Sequence, residues 1–136
     1  MEQISRVQKL VDALRSGEFS QGKGHLHTNE GFCCLGVACE IYRRETDLGE
    51  WVDHKPTYKA FKLPEKESHL TGTNIAGVTA ILPAEVARWF GFSTTTGIYH
   101  ENSSLANDND IGKTFAEIAD IIENNPEGLF DPIIDS

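Results

Sequence analysis

The segment that most constrains the fold runs over residues 31–40, an apolar run that holds all three cysteines of the 136-residue chain. Between residues 33 and 43, apolar side chains recur at helical spacing on two neighbouring faces. One face carries Cys34, Val37, Ala38 and Ile41, and the next carries Leu35, Cys39 and Tyr42. A helix that is apolar over so wide an arc has to be covered on most sides. The pattern therefore predicts a central, buried helix.

Other elements are predicted from the same periodicities and from end signals. Helices are expected at residues 3–15, 84–90 and 115–124, the last opened by a capping box of Thr114 and Glu117. Short strands are expected at residues 25–27, near 57–63 and at 97–100. A loop is predicted for the remainder of residues 45–72. Either a strand or an irregular run fits residues 73–82. Turn formers and caps are predicted for the Asn/Asp-rich residues 105–112.

These elements predict one α+β domain over residues 1–136, in which a central buried helix is flanked by other helices and by a small antiparallel sheet. The apolar tail, Leu129-Phe130 and Ile133-Ile134, is expected either to seal the core or to form a subunit contact in a homo-oligomer.

Composition limits the functional classes. The formal charge of −9 is concentrated in residues 101–136, where nine acidic residues face Lys113 alone. This excess argues against direct nucleic-acid binding, which needs clustered Lys or Arg. No apolar window is long enough for a membrane span, and residues 1–15 do not resemble a signal peptide. With an odd number of cysteines, the chain is expected to be cytoplasmic, with reduced thiols.

The cysteines allow two kinds of chemistry. His25 and His27 lie close in sequence to the cysteines, but no Cys-x-x-Cys pair is present, so neither a metal nor a cofactor is predicted. A cysteine at a helix start can be an activated nucleophile, and Cys33 or Cys34 with a histidine base would make a small cysteine-dependent hydrolase. The remaining interpretation is that the thiols are core residues.

Binding of a small anion is the function favoured by the polar residues. Glycines at positions 17, 22 and 24 accompany basic side chains, a combination that brings backbone N–H groups and positive charge to a ligand. The predicted ligand residues are Arg15, Gln21, Lys23, Arg43, Asn107 and Asp108.

Several motifs in a fixed order also resemble a known family. They are Arg15-Ser16-Gly17, Gln21-Gly22-x-Gly24-x-Leu26, Cys33-Cys34-Leu35-Gly36-Val37-x-Cys39, Leu82-Pro83 with Val86-x-x-Trp89, Leu105-x-Asn107-Asp108 and Phe115-x-x-Ile118-Ala119-Asp120. Together they resemble a family of short bacteriophage and prophage proteins, over most of the chain except roughly residues 45–75. The resemblance implies a viral origin and no particular reaction.

The combined expectation is a phage-encoded accessory binding protein without catalytic chemistry. It would counter a host defence by sequestering a small anionic, nucleotide-type ligand or by blocking a host protein. Two alternatives are the cysteine hydrolase and an acidic DNA mimic that inhibits a basic host protein through residues 101–136.

Overall fold

The computed structural model describes residues 2–64 and 79–131, which form five helices and six short strands. The helices are α1 (Glu2–Arg15), α2 (Cys34–Thr46), α3 (Ala84–Phe90), α4 (Leu105–Asp110) and α5 (Phe115–Glu123). The strands are β1 (His27–Thr28), β2 (Gly31–Phe32), β3 (Glu50–Lys55), β4 (Tyr58–Lys62), β5 (Ile98–Tyr99) and β6 (Ser103–Ser104). This confirms the predicted α+β class, with helices beside a small antiparallel sheet.

Helix α2 is the predicted central helix. All of its residues from 34 to 42 are buried, and α1, α3 and α4 pack around it. Cys33 caps its start, since its Sγ accepts a hydrogen bond from the Gly36 N–H at 3.4 Å. Gly36 allows the helix to approach the segment before β1 closely: a Cβ at this position would lie 1.8 Å from the Leu26 carbonyl oxygen. The packing of α2 therefore depends on a residue without a side chain.

The main sheet has four antiparallel strands in the order β2-β1-β4-β3. Strand β4 confirms the strand predicted near residues 57–63. The prediction of loop for the preceding residues was wrong, because β3 pairs with β4 from Glu50 to Lys55. Half of β3 is charged and four of its six residues are exposed, which weakens the alternating pattern, while Trp51 packs on Phe61 at a ring distance of 4.8 Å. Residues 65–78 of the predicted loop and of the undecided stretch lie outside the described residues.

The C-terminal part contains one unpredicted helix. Residues 105–110, expected to be turns, form α4, which Ser104 caps by accepting the Asn107 N–H at 3.0 Å. The Asn and Asp residues at positions 107–110 have low helix propensity, so the helix depends on its tertiary contacts. The predicted capping box at Thr114 and Glu117 is confirmed, and both of its hydrogen bonds are present.

The first half of the apolar tail seals the core. Leu129 has no exposed surface, and the Phe130 ring stacks on Phe92 at 4.9 Å. Residues 133 and 134 lie outside the described part of the chain.

Candidate ligand-binding cleft at the β3–β4 hairpin

The loop before β1 is fastened to α4 by the amide of Asn109. Gln21 Nε2 donates to Asn109 Oδ1 at 2.9 Å and to the Lys113 carbonyl at 2.8 Å. Asn109 in turn donates to the Gly22 carbonyl at 2.8 Å and accepts from the Cys34 N–H at 3.1 Å. Because Asn109 is fully buried, these bonds connect three chain segments inside the protein. Gln21, predicted to contact a ligand, uses its amide donors here.

Helix α4 also carries Asn107 and Asp108, and their surroundings differ. Asp108 is 5% exposed and accepts a hydrogen bond from the Tyr99 hydroxyl. Burial, and next the hydrogen bond to Asp108, raises the pKa of Tyr99 to about 12. Asn107 and Lys23 are exposed. Of the predicted residues near α4, these two therefore have solvent-facing side chains.

The two predicted arginines are paired with carboxylates in separate places. Arg15 Nη2 lies 2.5 Å from Asp120 and 2.8 Å from Glu123, both on α5. Arg43 donates to Glu40 on its own helix, at 2.9 Å from Nε and 2.6 Å from Nη2. The structure therefore brings Gln21 and its loop to α4, but it engages Arg15 and Arg43 elsewhere.

Glu40 is a buried carboxylate at the centre of a charge network. Its carboxylate accepts hydrogen bonds from Arg43, from Arg44 Nε at 2.9 Å and from Trp51 Nε1 at 3.0 Å. Burial disfavours the charged form of this carboxylate, but the hydrogen bonds from Arg43, Trp51 and Arg44 outweigh it and lower its pKa to about 2. The network ties the end of α2 to β3.

The three cysteines lie in the core. Cys33, Cys34 and Cys39 are 5%, 2% and 0% exposed. Burial raises the pKa of Cys33 to about 11, and it raises the pKa of the other two thiols well above the usual value. Within residues 2–64 and 79–131, no group of three or more His, Cys, Asp and Glu side chains is arranged to hold a metal ion.

An open cleft of about 280 Å³ lies beside the β3–β4 hairpin. Residues of β1, of the turn after it and of the hairpin line this cleft. The residues around it are His27, Thr28, Asn29, Asp53, Lys55, Pro56, Tyr58 and Lys59. Pairing of β1 with β4 brings these residues together, since His27 lies opposite Lys59 and Thr28 lies opposite Tyr58.

The cleft carries two lysines and one carboxylate. Lys59 Nζ lies 2.7 Å from Asp53 Oδ1, in a pair whose side chains are 40% and 89% exposed. Lys55 is exposed and forms no ion pair within the described part of the chain. Burial lowers the pKa of His27, and the charge of Lys59 lowers it further. This lowering of its pKa disfavours the charged form of the His27 imidazole, so the positive charge of the cleft lies on the two lysines.

A fixed aromatic wall borders the same cleft. The ring of Tyr58 lies parallel to that of His25, with centroids 3.6 Å apart and an angle of 5° between the planes. The ring of His27, which also lines the cleft, has its centroid 4.0 Å from that of Phe32 and 5.1 Å from that of Trp51. These contacts hold the aromatic side chains in place before any ligand arrives.

Sequence reasoning missed this cleft because it depends on a strand that was predicted to be loop. One local signal was present. Pro56 and Thr57 separate two segments that each contain a lysine and an aromatic residue or histidine, which fits a hairpin with basic residues near its tip. The pairing that brings β1 beside the hairpin links residues far apart in sequence, and no local pattern encodes it.

No helix in residues 2–64 and 79–131 has the length and apolar character needed to cross a bilayer. No curated protein and no solved structure matches the chain. A family model described as a domain of unknown function, DUF8296, matches residues 1–126. The chain belongs to this family.

Proposed function

We propose that the protein is a phage-encoded binding protein without catalytic chemistry, which captures a small anionic ligand of nucleotide type in the β3–β4 cleft. The observation that carries the proposal is the position of Lys55 and Lys59 beside a preformed cleft with an aromatic wall. Capture of a nucleotide-type signal by such a protein would counter a host defence by lowering the concentration of the free ligand.

The charges of the cleft suit a phosphate group. Lys55 has no competing carboxylate in the described structure, and the Lys59–Asp53 pair is exposed. An exposed ion pair contributes roughly 0–1 kcal/mol, so a phosphate can replace Asp53 at Lys59 at little cost. Thr28 and Asn29 also line the cleft, but their side chains already donate to protein carbonyls, Thr28 to Gly31 and Asn29 to Pro56, each at 3.3 Å, so the two lysines are the main contacts offered to a phosphate.

The aromatic wall suits the remainder of a nucleotide. Tyr58 is held by its stack with His25, so little conformational freedom remains to be lost when a base packs beside it. Aromatic rings favour offset stacking or edge contacts with other rings. Phosphate and base would thus meet different parts of one small cleft.

The core thiols weigh against the hydrolase alternative. A nucleophilic cysteine needs a thiolate and access to substrate, whereas these three thiols are buried and have raised pKa values. We expect iodoacetamide at pH 7 to label all three more slowly than free cysteine in the folded protein, and at the ordinary rate after denaturation in urea. Fast labelling of Cys33 or Cys34 in the folded protein would favour the hydrolase.

Calorimetric titration tests the proposal directly. Inorganic pyrophosphate, ATP and a cyclic dinucleotide are titrated into purified protein, after heat release and mass spectrometry have checked that no ligand was carried through purification. We expect Lys55→Ala and Lys59→Ala each to weaken binding about tenfold, which corresponds to the loss of one charge-assisted contact.

Two lysines provide matched controls. Lys62→Ala changes the same strand as Lys59 at a position that does not line the cleft, and Lys23→Ala removes the exposed lysine that the sequence predicted as a ligand. Both variants are expected to bind as the wild type does. An affinity loss confined to Lys23→Ala would move the site to the loop before β1. The absence of both a carried-through molecule and a heat signal would leave no small-ligand function in this cleft.

A further inference from the structure

Strand β3 is the edge of the main sheet. Its inner side pairs with β4, and within residues 2–64 and 79–131 no strand pairs with its outer side. It is six residues long, whereas the strand at the opposite edge, β2, has two residues and is bridged by Gln21. An exposed strand edge presents unpaired N–H and C=O groups that another strand can use. The molecule therefore offers one long edge for pairing.

The sequence of β3 is complementary to itself when reversed. Glu50 lies opposite Lys62 on β4, Val52 opposite Ala60, and Lys55 opposite Tyr58, with a register shift between Asp53 and Lys55. Tyr58, Ala60 and Lys62 alternate along β4 and share one face, so their partners on β3 share that face as well. This row of β3 begins with an acidic residue, has valine near its middle and ends with a basic residue.

We propose that β3 binds β3 of a second copy of the chain in an antiparallel pair. A two-fold axis near Val52 places Glu50 of each copy beside Lys55 of the other, which gives two ion pairs, and brings the two valines together. Asp53 lies on the other face, where Lys59 of its own chain already pairs with it. No like charges therefore face each other across the axis without a partner.

The geometry also predicts the size of the assembly. Since the short β2 edge is occupied by the Gln21 bridge, pairing through β3 closes after two copies and does not continue into a filament. Contact along a six-residue strand falls below the roughly 1,000 Å² that stable interfaces bury. We expect a reversible equilibrium between monomer and dimer, with a dissociation constant in the micromolar range or weaker.

Reversing the charges at Glu50 and Lys55 tests the proposal. Sedimentation velocity over a range of protein concentrations measures the dimer dissociation constant, and thermal melting checks that each variant folds. We expect Glu50→Lys or Lys55→Glu alone to raise that constant about tenfold, since each creates two like-charge contacts. The double variant E50K/K55E restores the opposite charges and is expected to dimerise as the wild type does. Glu30→Lys, an equal change in charge at the exposed turn between β1 and β2, is the control and is expected to have no effect.

Glu50→Lys separates this proposal from ligand binding, because Glu50 does not line the cleft. It should weaken dimerisation by the same factor of about ten and leave pyrophosphate binding unchanged. A wild-type protein that remains monomeric at millimolar concentration overturns the proposal. So does a double variant that dimerises no better than either single one.

Discussion

Two regions of the molecule, one around Asn109 and one around Lys55, differ in whether their polar side chains are buried and paired. Around α2 and α4, the side chain of Asn109 is fully buried and its hydrogen bonds end on protein atoms. At the β3–β4 hairpin, Lys55 is exposed and has no ion-pair partner within the described residues. The buried groups fix the fold because leaving them unpaired is costly. The hairpin groups contribute little to the fold, which leaves them free to bind.

The largest effect is expected where the backbones of the first region meet. Gly36→Ala places a Cβ 1.8 Å from the Leu26 carbonyl oxygen, so either α2 or the segment before β1 has to move. We expect the free energy of unfolding to fall by about 3 kcal/mol or more, measured by urea denaturation. Gly17→Ala is the control, because a Cβ there meets nothing within 4 Å and adds only the strain of a positive φ. We expect it to cost about 1 kcal/mol, and equal losses in both variants would show that close packing at Gly36 is unimportant.

The next effect concerns the amide that connects three segments. Asn109→Ala leaves the Cys34 N–H and the Gly22 carbonyl without their partner. We expect a loss of about 2–3 kcal/mol, the cost of unsatisfied buried groups, again from urea denaturation. Asn107→Ala changes the same helix at an exposed position and should stay within about 0.5 kcal/mol of the wild type. If the two variants behave alike, the network around Asn109 does not stabilise the fold.

The sequence predicted the first region better than the second. The helices α1, α2, α3 and α5 followed from periodicity and end signals, and the burial of Cys34 and Cys39 agrees with their place on two apolar faces of α2. Helix α4 was missed because Asn and Asp favour turns locally, and only tertiary contacts override that preference. Nothing in the run of residues 107–110 distinguishes the buried Asn109 from its exposed neighbour Asn107.

The sequence predicted the candidate site less well than it predicted the fold. Gln21 was predicted to bind a ligand, whereas the hydrogen bonds of its side-chain amide end on Asn109 and Lys113 inside the protein. Arg15 was predicted from its charge near a glycine and Arg43 from its charge, and their carboxylate partners come from folding of α5 and from the preceding turn of α2. The hairpin cleft exists only because β1 pairs with β4, a contact between residues about 30 apart that composition and periodicity do not report.

Acid should affect the first region through Glu40. Because its pKa in the folded protein is about 2, below the ordinary 4.5, its ionised form stabilises the fold above pH 4.5. That contribution disappears as the pH falls through 2. We expect Glu40→Gln to be less stable than the wild type at pH 7 by an amount on the order of 2 kcal/mol, and we expect the difference to close as the pH falls towards 2.

Thermal or urea denaturation at several pH values measures this gap. Glu45→Gln removes a carboxylate of similar type from an exposed pair with Lys9, 2.6 Å apart, and its effect should be small at every pH. A Glu40→Gln gap that does not change between pH 7 and pH 2 would contradict the role given to the buried carboxylate.

The smallest effect on stability, and the sharpest contrast between the two regions, is expected at Asp53. Asp53→Asn removes the partner of Lys59 in an exposed pair, so the free energy of unfolding should change by less than about 0.5 kcal/mol. Pyrophosphate affinity should rise in this variant, whereas a loss of structure would lower it. With its competing carboxylate gone, Lys59 is free to bind a phosphate, and we expect pyrophosphate to bind about threefold more tightly in calorimetric titration.

Asp131→Asn makes the same change in net charge away from the cleft and controls for long-range attraction. Tighter binding in both variants would assign the gain to net charge, and weaker binding in Asp53→Asn would show that Asp53 supports the ligand site and does not compete with the ligand for Lys59.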